Sequence, residues 1–532
     1  MSQLINILQK LSKSSPNAVY TPKSIFTDES ENIFDYLYIQ TPIEKKYKIL
    51  LEENKQSKSI IFLSGSSGDG KSAIIGKNED DYKDYYDIHI DATHSFRPDQ
   101  SAIQTLDEVF NKFKNSKKSL VVGINMGILS NYSREGSDVH IDIKDAITLY
   151  LDNQGHSDTI IILNFEDYPK FEMSDNSISS PFIHSLLNKI TEQTNLNPFY
   201  TAFDTDLKND IHTIEHQNFK LLSMEAIQTS IVELLVTVHL KYDQFLTTRG
   251  IIDFIYTILK GPNLLINQLF DDESNSIIQN IKKEDPILFR TKLLDTFILE
   301  RSSNKSDDAL DAFINEFNSI CKRPILNGKD SETLIRTFFL FRDSECSTNH
   351  HQRFAKDYDD EATLKFIQLV SASNNDVSGK KVILKNFHKE IRNAIFAYTN
   401  KHAPQLTDKS LFTFAYLNGF HISTHAKILQ DTEALKNISS KAINHFQYAI
   451  KVNDISIEPI TVSLSMYKMI LTINDGYRPN KHDRNSIIIF EELLEKISDK
   501  VKISDELVFM KDHKEITFTN NIDEIEVAEH VN

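Results

Sequence analysis

"FLSGSSGDGKSAII", residues 62–75, gathers three of the chain's 14 glycines, Gly65, Gly68 and Gly70, within six positions and follows them with Lys71 and Ser72. Residues 65–72 fit G-x-x-x-x-G-K-[ST], and they follow "SIIFLSG" (59–65), a run of apolar residues that reads as a buried strand ending in a glycine turn. A helix is expected from about Gly70. Chance predicts on the order of 0.004 such matches in a chain this poor in glycine, so the stretch reads as a phosphate-binding loop. Glycines let successive N–H groups turn inward toward phosphate oxygens, and the helix start adds its positive dipole end. Lys71 supplies an ammonium to β- and γ-phosphates, and the Ser72 hydroxyl is suited to Mg²⁺. The candidate nucleotide-binding set is therefore Gly65, Ser66, Ser67, Gly68, Asp69, Gly70, Lys71, Ser72 and Ala73. No base-reading motif separates ATP from GTP.

Outward from this loop the pattern alternates between strand and helix. "YDIHIDA" (86–92), "SLVVGIN" (119–125) and "TIIILN" (159–164) read as strands, with helices over 101–114 and within 140–152. This predicts βαβ units and a mostly parallel sheet. A nucleotide-hydrolysing loop of this kind needs an acid at a second strand end to hold the metal. Asp91 is the first choice, for catalysis and for the metal together with Ser72. Glu166 and Asp167, just past "TIIILN", are the alternatives. Asn125 suits a sensor of the γ-phosphate, with Asn164 as its rival. Capping of a strand end or turn explains each of these residues equally well. No Asp-Glu pair ends an apolar strand.

The 532 residues predict roughly two to four domains. Residues 1–58 read as an N-terminal helical segment, 59–223 as the nucleotide-binding core, 224–460 as a helical lid and helical domain, and 461–532 as a mixed part with a β-hairpin. Within this scheme "NFKLLSMEAIQTSIVELLVTVHL" (218–240) reads as a short strand turning into a long helix capped by Ser223, with Glu225 near its positive end. The expected class is α/β, a P-loop NTPase of AAA+/STAND-like type with a large helical region and a small mixed C-terminal part. A net charge of −17 argues against unaided grip on nucleic acid. Two cysteines exclude a disulfide framework and fit a cytoplasmic location. "SIVELLVTVHL" and "GIIDFIYTIL" fall short of a membrane span, so no membrane partner is expected.

"CSTNHH" (346–351) brings Cys346, His350 and His351 together, but without a second ligand pair it reads as a polar surface loop. Arg249 in "LTTRGIIDFIY" opens an apolar helix; in AAA+-type ATPases an arginine there reaches the nucleotide, whereas a solvated surface is the blander reading. "NDGYRPNKHDRN" (474–485) holds Tyr477, Arg478, Lys481 and Arg484, suited to phosphates or to an acidic partner, or else simply a turn set by Gly476 and Pro479.

"FLSGSSGDGKS", "HIDATHSF", "LVVGINMGILSNYSREG" and "LNFEDYPKF", in this order, resemble the DptF (DndF) family. This is a P-loop component of the bacterial DNA phosphorothioation-dependent restriction system. The resemblance extends to "SKSSPNAV", "TTRGIIDFIY" and "NDGYRPNKHDRN" and so covers most of the chain. It implies an ATP-binding and ATP-hydrolysing subunit that works with DptG- and DptH-like proteins against DNA lacking phosphorothioate. Nucleotide would sit on Gly65, Gly70, Lys71 and Ser72, with Asp91 nearest the metal. No nuclease motif transfers, so DNA is expected to be met through the complex. A homo-oligomer stays open. From a different class, a nucleotide-binding scaffold or switch with little or no hydrolysis is the alternative; an autonomous nucleoside kinase-like enzyme fits poorly with the long helical half.

Overall fold

Every residue of β1 (Ile60–Ser64) and β3 (Ser119–Ile124) is buried, as strands covered on both faces must be. With β2 (Tyr86–His89) and β4 (Ile160–Asn164) they form an all-parallel sheet in the order β2-β3-β1-β4. Ser64 lies opposite both Ile124 and Asn164, so the strands release the chain along one edge. Alternation along β1 divides the core. Ile61 and Leu63 pack with Ile43, Tyr47 and Leu51 of α3 (Pro42–Glu53) and with Ile74 and Ile75 of α4 (Lys71–Tyr82). Ile60 and Phe62 face α5 (Ala102–Asn115), α6 (Met126–Glu135) and α7 (Ile141–Leu151) through Leu106, Phe110, Tyr132 and Ile147. Each such side chain contributes about 2 kcal/mol by leaving water, which holds the sheet rigid behind its loop edge.

This computed structural model describes residues 2–12, 28–93, 97, 99–152, 155, 157–173, 178–321, 324–346, 348–374, 379–407, 410–438, 442–479, 484–511, 514–521 and 524–531. The chain divides into two compact units, Met1–Glu172 with Ser179–Asp359, and Met173–Ile178 with Asp360–Asn532. Residues 13–19 of "SKSSPNAV", His94, Ser95, Phe96 and Lys481 lie outside the described residues.

In the first unit the parallel sheet is joined by α1 (Gln3–Gln9), α2 (Asp28–Leu37) and a helical array. The array comprises α8 (Pro181–Thr191), α9 (Pro198–Lys208), α10 (Ile214–Leu222), α11 (Glu225–Tyr242) and α12 (Thr248–Lys260), then α13 (Leu265–Gln268), α14 (Ser276–Ile281), α15 (Lys292–Ser302), α16 (Asp308–Cys321) and α17 (Ser331–Leu340). The strand expected near 218 is instead the end of α10. Phe219 and Leu222 fall one helical turn apart and are buried, and Phe219 stacks on Phe203 with centroids 4.9 Å apart. Ser223 closes α10 rather than opening α11, whose N-cap is Met224; Glu225 does lie in the first turn of α11. The "CSTNHH" segment also departs from a surface loop. His350 and His351 are buried among Phe297, Phe313, Phe338 and Phe354, with His350 Nε2 3.1 Å from Asp307 Oδ2. Burial holds both imidazoles below their usual pKa, and no metal-binding cluster occurs among the described residues. No single described helix is long and apolar enough to cross a membrane. The pair α10–α11 passes by length and composition but is bent by 82°, and the apolar residues of α11 are largely buried inside the unit.

The start of α1 is fastened by a distant carboxylate. Asp206 of α9 accepts from Ser2 Oγ at 2.6 Å and from the amides of Gln3 and Leu4 at 2.9 Å, while Ser2 Oγ itself accepts from the Ile5 amide. A buried carboxylate thus satisfies helix-start donors and meets the positive end of the dipole. His216 Nε2 stands 3.3 Å from Asp206 Oδ2, off the hydrogen-bond direction, and its Nδ1 accepts from the Thr213 amide. Burial pushes the Asp206 pKa upward, but the Ser2, Leu4 and Gln3 donors outweigh it and hold the carboxyl below its ordinary value. Burial likewise lowers His216. Both shifts make acid destabilising: His216 resists protonation once pH falls below about 6.5, and the Asp206 contribution, full above about 4, disappears as pH falls through its lowered value. Asp206→Ala is expected to cost about 3 kcal/mol and to remove the Asp206 part of the acid sensitivity, which denaturant titrations at several pH values will measure.

In the second unit, α18 (Glu361–Asn374), α19 (Lys380–Thr399), α20 (Thr432–Asn437), α21 (Leu464–Asn474) and α22 (Arg484–Val501) accompany antiparallel strands. The largest sheet runs β14-β13-β12-β6-β5, formed by β5 (Leu411–Leu417), β6 (Phe420–His425), β12 (Glu506–Lys511), β13 (Lys514–Asn521) and β14 (Glu524–Val531). Shorter ribbons use β7 (Ile428–Gln430), β8 (His445–Tyr448), β9 (Ile450–Val452), β10 (Ile455–Ser456) and β11 (Ile460–Ser463). The expected hairpin across "KDHK" is present as β12–β13. The helical reading of 224–460 is corrected here: strands occupy much of 411–463, and the unit boundary at Asp359/Asp360 falls inside that stretch. The architecture is α/β, with a four-stranded parallel sheet, many helices and a C-terminal antiparallel sheet.

Candidate functional site

The glycine-rich loop leaves β1 at the edge where the carboxyl ends of the parallel strands converge, the place where open α/β sheets hold ligands. Gly70 adopts φ 103°, a left-handed conformation that costs a side-chain-bearing residue about 1–2 kcal/mol, and serves as N-cap of α4. Phe165, just after β4, packs on Gly65 so closely that an added Cβ would stand 2.9 Å from its ring. The loop is also braced from outside. Asp69 Oδ2 accepts from the Ser66 amide at 2.8 Å, and Asp69 Oδ1 pairs with Lys170 Nζ at 2.9 Å. The Arg249 amide donates to the Gly68 carbonyl at 3.2 Å, and Thr248 Oγ1 to the Asp69 carbonyl at 3.4 Å.

What the loop leaves unpaired is chemically specific. Gly70, Lys71, Ser72 and Ala73 have no acceptor for their amides among the described residues, and the Ser72 hydroxyl makes no hydrogen bond there. Lys71 Nζ bends back to donate to the carbonyls of Gly65 and Ser66, both at 2.8 Å. Burial lowers the Lys71 pKa, against the charges of Asp69 and Asp91, so the ammonium is partly stripped of water and held by two neutral acceptors. Four free amides and a half-buried ammonium at one helix start suit an anion with several oxygens.

The remaining candidates lie along the same sheet edge. Asp91, two residues past β2, accepts from both the amide and the hydroxyl of Thr93, at 2.9 and 2.7 Å. Asn125, following β3, caps α6 through a 2.7 Å bond from the Ile128 amide to its Oδ1, leaving its Nδ2 donors without a protein acceptor among the described residues. Asn164 is buried and accepts from the Glu166 amide at 3.2 Å, while Glu166 and Asp167 are exposed on a short turn. The capping reading therefore holds for Asn125 and Asn164 without consuming the whole of the Asn125 side chain. Arg249 is partly exposed: its Nη2 donates to the Leu11 carbonyl at 3.2 Å, and its Nε is buried without a partner in the described residues. Lys170 and Thr248 were not legible as loop braces. The available signal was Asp69 itself, a carboxylate inside an anion-binding loop, which calls for a neutralising cation. In the second unit, Arg478 bonds the carbonyls of Gly476 and Tyr477 and lines a hollow of about 260 Å³ with Tyr398, Lys401 and His402.

No family model, no curated protein and no solved structure matches the chain.

Proposed function

We propose that the first unit is a P-loop NTPase that binds ATP or GTP with Mg²⁺ and hydrolyses it. The observation that carries this reading is the group of unpaired amides at Gly70–Ala73 beside the Lys71 ammonium, in a loop whose sequence fits the nucleotide-binding pattern. In this reading the amides bind phosphate oxygens, and Lys71 exchanges its two carbonyl partners for the β- and γ-phosphates. Ser72 and Asp91 would hold Mg²⁺, whose role is to neutralise phosphate charge. Asn125 Nδ2 would orient the terminal phosphate, and Glu166 would assist water. The resemblance to DptF supports a place in a phosphorothioation-dependent restriction complex, in which hydrolysis is passed to DptG- and DptH-like partners acting on DNA.

A second reading, a nucleotide-holding scaffold with little turnover, is favoured by the lack of an Asp-Glu pair at the described strand ends and by the capping duty of Asn125. Phosphate release by the purified chain, alone and with DNA and its partners, separates the two. Mg²⁺-dependent turnover is expected; binding of nucleotide without turnover in every mixture would select the scaffold.

A further inference from the structure

Residues 1–359 carry 38 Lys/Arg against 53 Asp/Glu, whereas residues 360–532 carry 21 against 23. Within the latter, residues 380–427 hold eight Lys/Arg and only two Asp/Glu, in a chain that is otherwise strongly acidic. Four of these eight cations, Lys385, Lys389, Arg392 and Lys427, line one open cleft of about 580 Å³. Lys385, His388, Lys389 and Arg392 of α19 line it from one side, and His425 and Lys427, at the β6–β7 turn, from the other. Lys385 and Lys389 are exposed and carry no ion pair among the described residues. Arg392 donates only to Ser410 Oγ, at 3.1 Å. Acids face the Lys427 and His425 side of the cleft and leave the α19 side to its cations. Glu390, the single acid on α19, engages Tyr467. Asp454 stands 3.6 Å from Lys427 Nζ, and Glu506 3.9 Å from His425 Nε2.

A folded chain gains nothing from bringing like charges together, and α19 also begins with Lys380 and Lys381, where the helix dipole disfavours cations. Such an arrangement is stabilised by an anion from outside. Lys385 and Lys389 stand one turn apart on α19, about 6 Å along its axis, with Lys381 a further turn back on the same helix. No Phe, Tyr or Trp is among the described residues that line the cleft. We infer that this cleft is a nucleic-acid site that engages backbone phosphates without reading sequence. The inference is independent of the nucleotide reading of the first unit.

The test is binding of a fluorescein-labelled mixed-sequence DNA duplex to the full chain, followed by anisotropy over a series of salt concentrations. Binding is expected to weaken steeply with salt. Lys385→Glu with Lys389→Glu is expected to lower affinity at least about tenfold and to flatten the log–log salt slope by about two, at an unchanged melting temperature. Lys385→Arg with Lys389→Arg should restore binding, and Lys71→Ala should leave it unaltered. Absence of duplex binding, or binding indifferent to the charge reversal, would overturn the inference. Binding of labelled tripolyphosphate with no binding of duplex would also overturn it, and would assign the cleft to a free polyphosphate.

Discussion

Lys71→Ala is expected to lower nucleotide affinity by about a hundredfold while leaving the fold in place. The lost interactions are charge-assisted hydrogen bonds to phosphate, each worth about 1.5–3 kcal/mol, and about 1.4 kcal/mol corresponds to a factor of ten. Stability should change little. Of the two carbonyls that Lys71 now satisfies, that of exposed Ser66 is taken over by water, and that of buried Gly65 loses its partner at a cost of about 1 kcal/mol. Titration with a fluorescent ATP analogue, paired with a thermal melt, measures both quantities. Undiminished affinity in a folded variant would remove this loop from the nucleotide site.

Asp91→Asn is expected to separate binding from turnover. Asparagine retains an oxygen that can accept from Thr93, so the turn after β2 should persist. What is lost is the negative charge assigned to the metal. Turnover should fall about a hundredfold or more, while nucleotide affinity changes by less than about tenfold. Steady-state phosphate release and equilibrium binding on the same preparation make the comparison. Undiminished turnover would transfer the acid's role to Glu166 or Asp167, which share the sheet edge.

The parallel sheet was legible because its strands are local, almost wholly apolar and separated by amphipathic helices. The cue in β1, five consecutive buried residues, needed no tertiary information. The second unit was harder. Its strands are short and half-exposed, and "LLDTFIL"-like helical spacing upstream made continued helix the simplest extrapolation. Yet "YLNGFH" carried a local signal: Asn418 and Gly419 take φ of 52° and 86°, the two-residue turn that joins β5 to β6. At the site, loop residues followed from spacing, because each is demanded by backbone chemistry. The braces did not. Lys170 meets Asp69 across 101 residues, and no pattern in either segment names the other.

The Arg249–Leu11 bond joins residues 238 positions apart, and Arg249 in turn leans its amide on Gly68. The turn after α1 is thus tied to the residue that backs the glycine loop, while the start of α1 is held by Asp206. The backbone that holds Gly68 and the side chain that holds Leu11 thus belong to one residue, Arg249, so the order of the glycine loop and the order of the chain after α1 are linked.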